Sequence, residues 1–495
     1  MALPEYDDLD AIGLATAVRS GDVSPRELLD AAAERIADRD PALNAIVFDM
    51  LDRARDKVDS LPDGPLKGVP FLVKDLKLKI AGTPTSNSSK LSKDVIATQS
   101  SVLAERYEAA GLQILGKTNT PEFGIMGITE PALRGPCRNP WNTEHTPGGS
   151  SGGSGAAVAA RIVPIAHSGD GGGSIRIPAS ACGLFGLKPT RGRVTMAPFL
   201  GEAWGGFVQE HVISRSVRDS ALLLDIEASP TPGEPYVAPQ KERPWIEEVG
   251  VDPGKLRIGF TPESMYAGTA DPDCVEAVED AVALLRDLGH EVVEASPSYN
   301  KEKLIHAYFL TVATGVARFV ETTSQAAGKP PRASDYEPAT WLLAQIAWKT
   351  TAPQLLEAQQ DMQAAGRTVA GFFGEYDLFL SSTLGRPPAK IGEVAPSTSE
   401  LTQLALLRTL NVGPLLRLAL AKMADGKLVY TPNTQLFNQT GHPGMSVPLY
   451  WNEEGLPIGT QIVSRFGDEA TLFRIASQLE EARPWAQRKP PMLSP

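Results

Sequence analysis

The chain has 495 residues, of which 42% are hydrophobic and 21% are charged, and this composition is ordinary for a soluble globular protein. Its formal net charge of −12 disfavours nonspecific binding to nucleic acid or to anionic membranes, so we expect neither as a partner. A chain of this length can bury a large core, and α/β enzymes of this size often form one unit.

The cysteines and the N-terminal residues indicate the compartment. Cys137, Cys182 and Cys274 are too few and too scattered for a disulfide framework or a zinc site, so we expect three small core residues. The acidic N-terminal residues do not resemble a signal peptide, and no run approaches the roughly 20 apolar residues that span a bilayer. We therefore expect a cytoplasmic protein.

The first predicted elements are helices followed by a buried strand. Residues 9–40 predict two helices, and Ser24 begins the second as its N-cap, with Glu27 placed to complete a capping box. Residues 68–76 predict a short buried strand that ends at Lys74.

Helices and strands then alternate along the chain. The predicted elements are a helix over 99–111, a strand over 112–115, a helix over 151–161 and a strand over 162–166. This alternation predicts an α/β fold in which helices pack on a sheet.

The region 225–435 has a different pattern. Its predicted elements are strands over 255–260, 291–293 and 376–382, a helix over 273–288 and a mostly helical stretch over 301–375. The C-terminal part returns to the α/β pattern, with strands over 444–449 and 459–463 and a helix over 469–482.

A glycine- and serine-rich run over 146–155 is the most informative motif. Such a run is often a flexible linker. Here it leads directly into an apolar, alanine-rich helix, so its glycines indicate close backbone approach instead. A second glycine cluster, at 171–173, precedes Ser174.

Two short patterns match known motifs without their structural context. Residues 111–118 match a phosphate-binding loop, but the four interior residues are those of a strand rather than a loop. Residues 148–152 match the nucleophile elbow of α/β-hydrolases, which should follow a hydrophobic strand, whereas residues 138–145 are polar and turn-forming. An elbow would also need a downstream triad histidine; the histidines available are His167, His211, His290, His306 and His442.

Lys74 is the candidate base. Apolar residues flank it, so its ammonium is expected to lie out of water, and burial lowers a lysine pKa. A neutral amine then serves as a general base. His167, close to the second glycine cluster, is expected to be a hydrogen-bonded supporting residue. No grouping of His, Cys, Asp and Glu has metal-ligand spacing, and we expect no metal and no cofactor.

Taken together, these motifs resemble the amidase signature family. The matching segments are 68–76, 116–124, 148–160, 169–178 and 183–192. Residues 437–443 and 455–459 match the family more weakly. The resemblance is strong over 62–195, moderate over 435–486 and slight over 225–430. It implies one amidase domain over 1–495, with a catalytic core at 62–195 and a divergent pocket region at 225–435. The implied fold is a central mixed β-sheet sandwiched between layers of α-helices.

The resemblance also implies roles for individual residues. Ser174 is the expected acyl-forming nucleophile, Ser150 the bridging serine that follows a cis peptide, and Lys74 the base. The backbone N–H groups of 171–174 are expected to hold the oxyanion, and Ser174 is expected to open a short helix. Many relatives carry a branched residue where this chain has Gly171, so we expect a pliable loop.

Supporting and substrate-contacting positions follow from the same matches. Gly171, Gly172 and Gly173 belong to the oxyanion loop. Asp170 and Arg176 match positions that brace this loop. Gly124 and Ile125 match the segment that lines the substrate channel.

The expected activity is hydrolysis of C–N bonds through a Ser–cis-Ser–Lys triad and an acyl-enzyme. The C-terminal residues 483–491 resemble those of family members that act on linear or cyclic oligoamides, and carbamates are a close alternative substrate class. A second alternative is the A subunit of a glutamyl-tRNA amidotransferase, and a third is a catalytically inactive scaffold. The small-molecule substrate is the expected partner, and we expect a monomer or a homodimer. The aromatic residues Tyr308, Phe309, Trp341 and Trp348 are expected to be core rather than pocket residues.

Overall fold

A computed structural model describes residues 5–394 and 428–493. Its centre is one mixed sheet of eleven strands. The strands are β1 (Ile46–Asp49), β2 (Pro70–Lys74), β3 (Gln113–Thr118), β4 (Ile165–Asp170), β5 (Phe185–Lys188), β6 (Gln209–Ser214), β7 (Arg257–Phe260), β8 (Glu291–Glu294), β9 (Leu378–Ser382), β10 (Gly444–Trp451) and β11 (Pro457–Ser464). Their order across the sheet is β1-β3-β2-β4-β6-β5-β10-β11-β9-β7-β8.

Thirteen α-helices of the described residues surround this sheet. They are α1 (Ala11–Ser20), α2 (Pro25–Leu43), α3 (Leu51–Lys57), α4 (Val102–Ala109), α5 (Gly152–Ala159), α6 (Arg176–Cys182), α7 (Val217–Glu227), α8 (Pro272–Asp287), α9 (Lys301–Ala326), α10 (Pro338–Trp348), α11 (Ala352–Phe372), α12 (Gln435–Thr440) and α13 (Glu469–Ala482). Among them, none combines the length and apolar composition that crossing a bilayer requires.

Helices cover both faces of the sheet. Successive side chains of a strand point to opposite faces. Along β9, Leu378 and Leu380 pack in one hydrophobic core with α7, α8 and α13, whereas Phe379 between them packs in a second core with α9, α10 and α11. In β11, Ile462 and Val463 divide between the same two cores. The predicted sandwich of helices around a mixed sheet is therefore confirmed.

Several local predictions are also confirmed. The Ser24 hydroxyl accepts from the Glu27 N–H at 3.2 Å, and the Glu27 carboxylate accepts from the Ser24 N–H at 2.8 Å. The segment that matches a phosphate-binding loop contains the buried strand β3 rather than a loop. The long helical stretch is α9, α10 and α11. All three cysteines are free and buried.

The predicted strand over 162–166 is misplaced. The chain turns over 161–164 and β4 runs instead from Ile165 to Asp170. Its second half is polar, which concealed it in the sequence, but every residue of it is buried because β6 pairs with it in antiparallel register. Strands β1, β5 and β6 were not predicted either.

The sheet brings the predicted functional segments to one edge. Strand β2, which ends at Lys74, runs parallel to β4, which ends at Asp170. The carboxyl ends of parallel strands meet on one side of a sheet, so Lys74 lies close to the glycine cluster 171–173.

The domain boundaries stay a prediction, and residues 395–427 of the divergent region lie outside the described residues.

Candidate active site

Lys74 ends β2 with its side chain almost wholly out of water, at 1% exposure. Its Nζ lies 2.8 Å from Ser150 Oγ and 2.8 Å from Ser151 Oγ. The carbonyl oxygen of Gly169 is a third partner, at 3.3 Å. All three atoms are thus within hydrogen-bond distance of the amine.

Burial lowers the pKa of Lys74 to about 7. The carboxylate of Glu210 opposes this effect by raising the pKa, the ammonium of Lys77 lowers it further, and Asp170 raises it. The result is an amine that is neutral in about half of the molecules at pH 7. The pKa of Lys77 is itself lowered by burial.

The glycine- and serine-rich run is part of the core and is no linker. Every residue from 145 to 160 is buried. The Gly149–Ser150 peptide is cis, as the family resemblance implies. A Cβ at Gly153 would lie 2.4 Å from the backbone nitrogen of Asn119, so only glycine allows α5 to pack this closely.

The loop 171–174 connects β4 to α6 and is held by the carboxylate of Asp170. This carboxylate accepts from the N–H of Gly173 at 2.6 Å and from the N–H of Ile175 at 3.2 Å. The Gly173 N–H is therefore occupied, and the amides left for an oxyanion are those of Gly171, Gly172 and Ser174. The short helix begins at Arg176, two residues beyond Ser174, so Ser174 precedes α6 and does not open it.

Arg176 fixes Asp170 from the other side. Its guanidinium donates to the Asp170 carboxylate through Nε and Nη2, both at 3.0 Å, and both side chains are fully buried. Burial alone would raise the pKa of Asp170, but Arg176 holds it well below its usual range. Gln461 and Asn438 accept the remaining guanidinium hydrogen bonds, at 2.6 and 2.7 Å.

Side chains from distant parts of the chain enclose the three glycines of this loop. A Cβ added at Gly171 would lie 2.8 Å from Trp204. One added at Gly172 would lie 2.0 Å from Tyr308, and one added at Gly173 would lie 2.3 Å from Thr434. Thr434 also donates a hydrogen bond to the Gly172 carbonyl at 2.6 Å. The expectation of a pliable loop overlooked these neighbours, because they are remote in sequence.

Ser150 and Ser174 line one small inner cavity. Lys77, Trp204 and Glu210 line it as well. Within the described part of the chain, the Ser174 hydroxyl has no hydrogen-bond partner, so the structure brings Lys74 and Ser150 into contact but leaves Ser174 unbonded beside them.

A larger outer cavity adjoins the inner one, and Ser174, Gly124 and Trp204 line both. Its other lining residues are Ile125, Met126, Gly127, Gly172, Ile177, Tyr308, Phe309, Val312, Leu343, Val394, Leu428, Tyr430, Thr431 and Gln435. Of the four aromatic residues expected to be core, Phe309 lies in the second core, and Tyr308 and Trp341 pack against it. Tyr308 and Phe309 also line this cavity, and the expectation is wrong for Trp348, which is 40% exposed.

His167 is a hydrogen-bonded supporting residue, as expected, and a second supporting residue, Glu210, was missed in the sequence. His167 Nδ1 accepts from the Lys74 backbone N–H at 3.3 Å, which leaves the proton on Nε2. That nitrogen lies 3.2 Å from a carboxylate oxygen of Glu210. No local signal identifies Glu210, because only the pairing of β4 with β6 brings it here.

A serine–histidine–glutamate arrangement occurs elsewhere in the fold. His211 contacts the Glu227 carboxylate through Nδ1, and its Nε2 lies 2.7 Å from Ser220 Oγ. All three residues have no exposed surface. A buried serine without access to substrate is part of the core, so this arrangement does not support the elbow interpretation.

No group of three or more His, Cys, Asp or Glu residues in the described ranges is arranged to hold a metal ion.

The site thus contains a buried amine hydrogen-bonded to a cis-peptide serine, beside a glycine loop and a second serine. The chain belongs to the amidase signature family, since the family model described as Amidase matches residues 27–473. It is a hydrolase that acts on C–N bonds.

The individual relatives are full-length matches. The chain is 36% identical over 493 residues to the 6-aminohexanoate-cyclic-dimer hydrolase of Pseudomonas sp. (strain NK87), covering 98% of this chain and 97% of that protein. The structure of a 6-aminohexanoate cyclic dimer hydrolase complexed with substrate superposes with a TM-score of 0.90 at 35% identity, over 99% of this chain and 100% of that one.

The glutamyl-tRNA amidotransferase alternative finds support only at the level of the fold. The A subunit of the Thermotoga maritima enzyme superposes with a TM-score of 0.75 over the full length of both chains, but at 22% identity. Such a likeness shows a shared fold and no shared activity.

Proposed function

We propose that the chain hydrolyses small amides, including linear or cyclic oligoamides, through an acyl-enzyme on Ser174. The observation that carries this proposal is the fully buried Lys74 amine, which lies 2.8 Å from the Oγ of Ser150, because Ser150 and Ser174 line the same cavity. The cyclic-amide substrate in the name of the full-length relative supports the substrate class.

In the proposed mechanism, neutral Lys74 removes the proton of Ser150 while Ser150 removes that of Ser174. The Ser174 oxygen then attacks the substrate carbonyl carbon, and the free amides of the oxyanion loop stabilise the resulting oxyanion. When the tetrahedral intermediate collapses, the C–N bond breaks and the leaving nitrogen receives the proton through Ser150. A water molecule, deprotonated by the same relay, releases the acyl group.

The outer cavity accounts for the specificity in this proposal. The divergent region 225–435 supplies most of its lining, including Tyr308, Phe309 and Leu343, and the signature core supplies the reacting groups. Carbamates undergo the same acyl transfer, so they form the second arm of the substrate test.

The test is a comparison of the Ser174→Ala variant with the intact protein on three neutral substrates: an anilide, a cyclic amide dimer and an aryl carbamate. We expect Ser174→Ala to abolish both turnover and labelling by a fluorophosphonate without altering the circular dichroism spectrum. Ser168→Ala is the matched control, since Ser168 is a buried serine of β4 whose hydroxyl has no partner among the described residues. Substantial turnover by Ser174→Ala would refute the assignment.

A further inference from the structure

Tyr308 places a hydroxyl group beside the oxyanion loop. It lies on α9 and lines the outer cavity together with Gly172 and Ser174. Its hydroxyl oxygen lies 2.0 Å from the position that a Cβ of Gly172 would occupy. The hydroxyl thus fills the space of the missing side chain and adjoins one of the two glycines whose amides remain free.

The ring of Tyr308 is held in one orientation. It stacks on Phe207 with centroids 5.7 Å apart and planes 2° apart, and it meets Phe309 edge-on at 5.4 Å. Such pairs stabilise a fixed ring geometry. The direction of the hydroxyl is therefore set by packing before any substrate enters.

Among the described residues, this hydroxyl has no hydrogen-bond partner. Tyrosine hydroxyls in protein interiors are usually bonded, so an unbonded one at a cavity wall indicates a ligand partner. Burial raises the pKa of Tyr308, a nearby Asp170 raises it further, and the group stays protonated at neutral pH. It can therefore act as a donor.

We propose that the Tyr308 hydroxyl donates a hydrogen bond to the substrate carbonyl oxygen as it becomes the oxyanion, in addition to the free loop amides. This inference rests on the proposed function, because it requires the carbonyl to be attacked by Ser174. It also explains Gly172, since any side chain there would collide with the hydroxyl.

The test compares Tyr308→Phe with the intact protein on an amide and on the matching thioamide. Loss of one oxyanion donor typically costs about 10²-fold in kcat, and we expect a fall of about that size on the amide, mainly in kcat. Sulfur accepts hydrogen bonds poorly, so the variant has less to lose from the thioamide. We therefore expect the amide-to-thioamide rate ratio to fall in Tyr308→Phe.

Tyr336→Phe is the matched control. The Tyr336 hydroxyl contacts Thr323, Ser324 and the Val320 carbonyl, all on the same helix α9, and it does not line the cavity. We expect this variant to keep the amide-to-thioamide ratio of the intact protein. An unchanged ratio in Tyr308→Phe would overturn the inference, whether or not its rate falls. Failure of the proposed function has a different signature, because Ser174→Ala would then keep its activity.

Discussion

The rate of hydrolysis should depend on pH through the charge of Lys74. A lysine with the ordinary pKa of 10.5 is neutral in about one molecule in 3,000 at pH 7. With its pKa lowered to about 7 by burial, Lys74 is neutral in about half of the molecules, a gain of about 10³-fold in the reactive form. Because the base must be neutral, kcat/KM for an uncharged amide should rise with pH, reach half its plateau near pH 7 and fall to about 1% of it at pH 5.

Two neighbouring charges allow this interpretation to be tested in both directions. Glu210 raises the pKa of Lys74, so Glu210→Gln should move the midpoint of the acidic limb to lower pH. Lys77 lowers that pKa, so Lys77→Met should move the midpoint to higher pH. The Asp170 carboxylate also faces the amine, but its charge is paired with Arg176 and is the same in both variants.

The assay is the initial rate of amine release between pH 5 and 9 at substrate concentrations far below KM, since kcat/KM reports the pKa values of the free enzyme. Asp59→Asn is the remote control. Asp59 is an exposed partner of Arg26, so this variant should leave the midpoint of the acidic limb unchanged. Midpoints that stay fixed in both variants, or that move in the same direction, would show that Lys74 is not the titrating base.

Two further variants test how the oxyanion loop is held. Asp170→Asn leaves the Arg176 guanidinium buried and without its countercharge, so the free energy of unfolding measured in urea should fall by about 3–5 kcal/mol. The exposed control Asp59→Asn should lose about 1 kcal/mol or less. Equal losses in the two variants would contradict the role of the pair. Gly171→Ala places a Cβ 2.8 Å from two atoms of the six-membered ring of the Trp204 indole, so kcat/KM should fall by about 10-fold or more. Val208 Cγ2 lies 3.0 Å from the same Cβ, so Trp204→Phe together with Val208→Ala removes all three close atoms and should restore activity to Gly171→Ala; failure of this rescue would contradict the steric explanation.

The residues of the proposed triad could be identified in the sequence because each lies in a local pattern. Lys74 follows five apolar or proline residues, and Ser150 and Ser174 each follow glycines. These patterns reflect constraints that act along the chain: a strand buries the lysine, and close backbone approach at Gly153 requires glycine. The alternation of helices and strands also follows from residue patterns along the chain, so it could be used to predict the α/β fold.

The parts that were missed depend on strand pairing. The polar half of β4 has the composition of a loop. It is a buried strand because β6 pairs with it, so the burial of His167 and Asp170 follows from strand pairing and not from residue type. Glu210 reaches the site by the same pairing. A hydrophobic pattern cannot report polar residues that are buried because they bond to one another.

The loop 171–174 shows why its close packing could not be predicted from its own residues. Three successive glycines permit many backbone conformations, which favours a mobile loop when the segment is considered alone. In the fold, Trp204, Tyr308 and Thr434 come from three separate parts of the chain and fill the space on the three glycines. The absence of side chains at 171–173 therefore leaves space for these three neighbours. Glycines that suggest a flexible loop in the sequence thus permit close packing in the structure. Two of these neighbours, Tyr308 and Thr434, belong to the divergent region, and Tyr308 also lines the outer cavity.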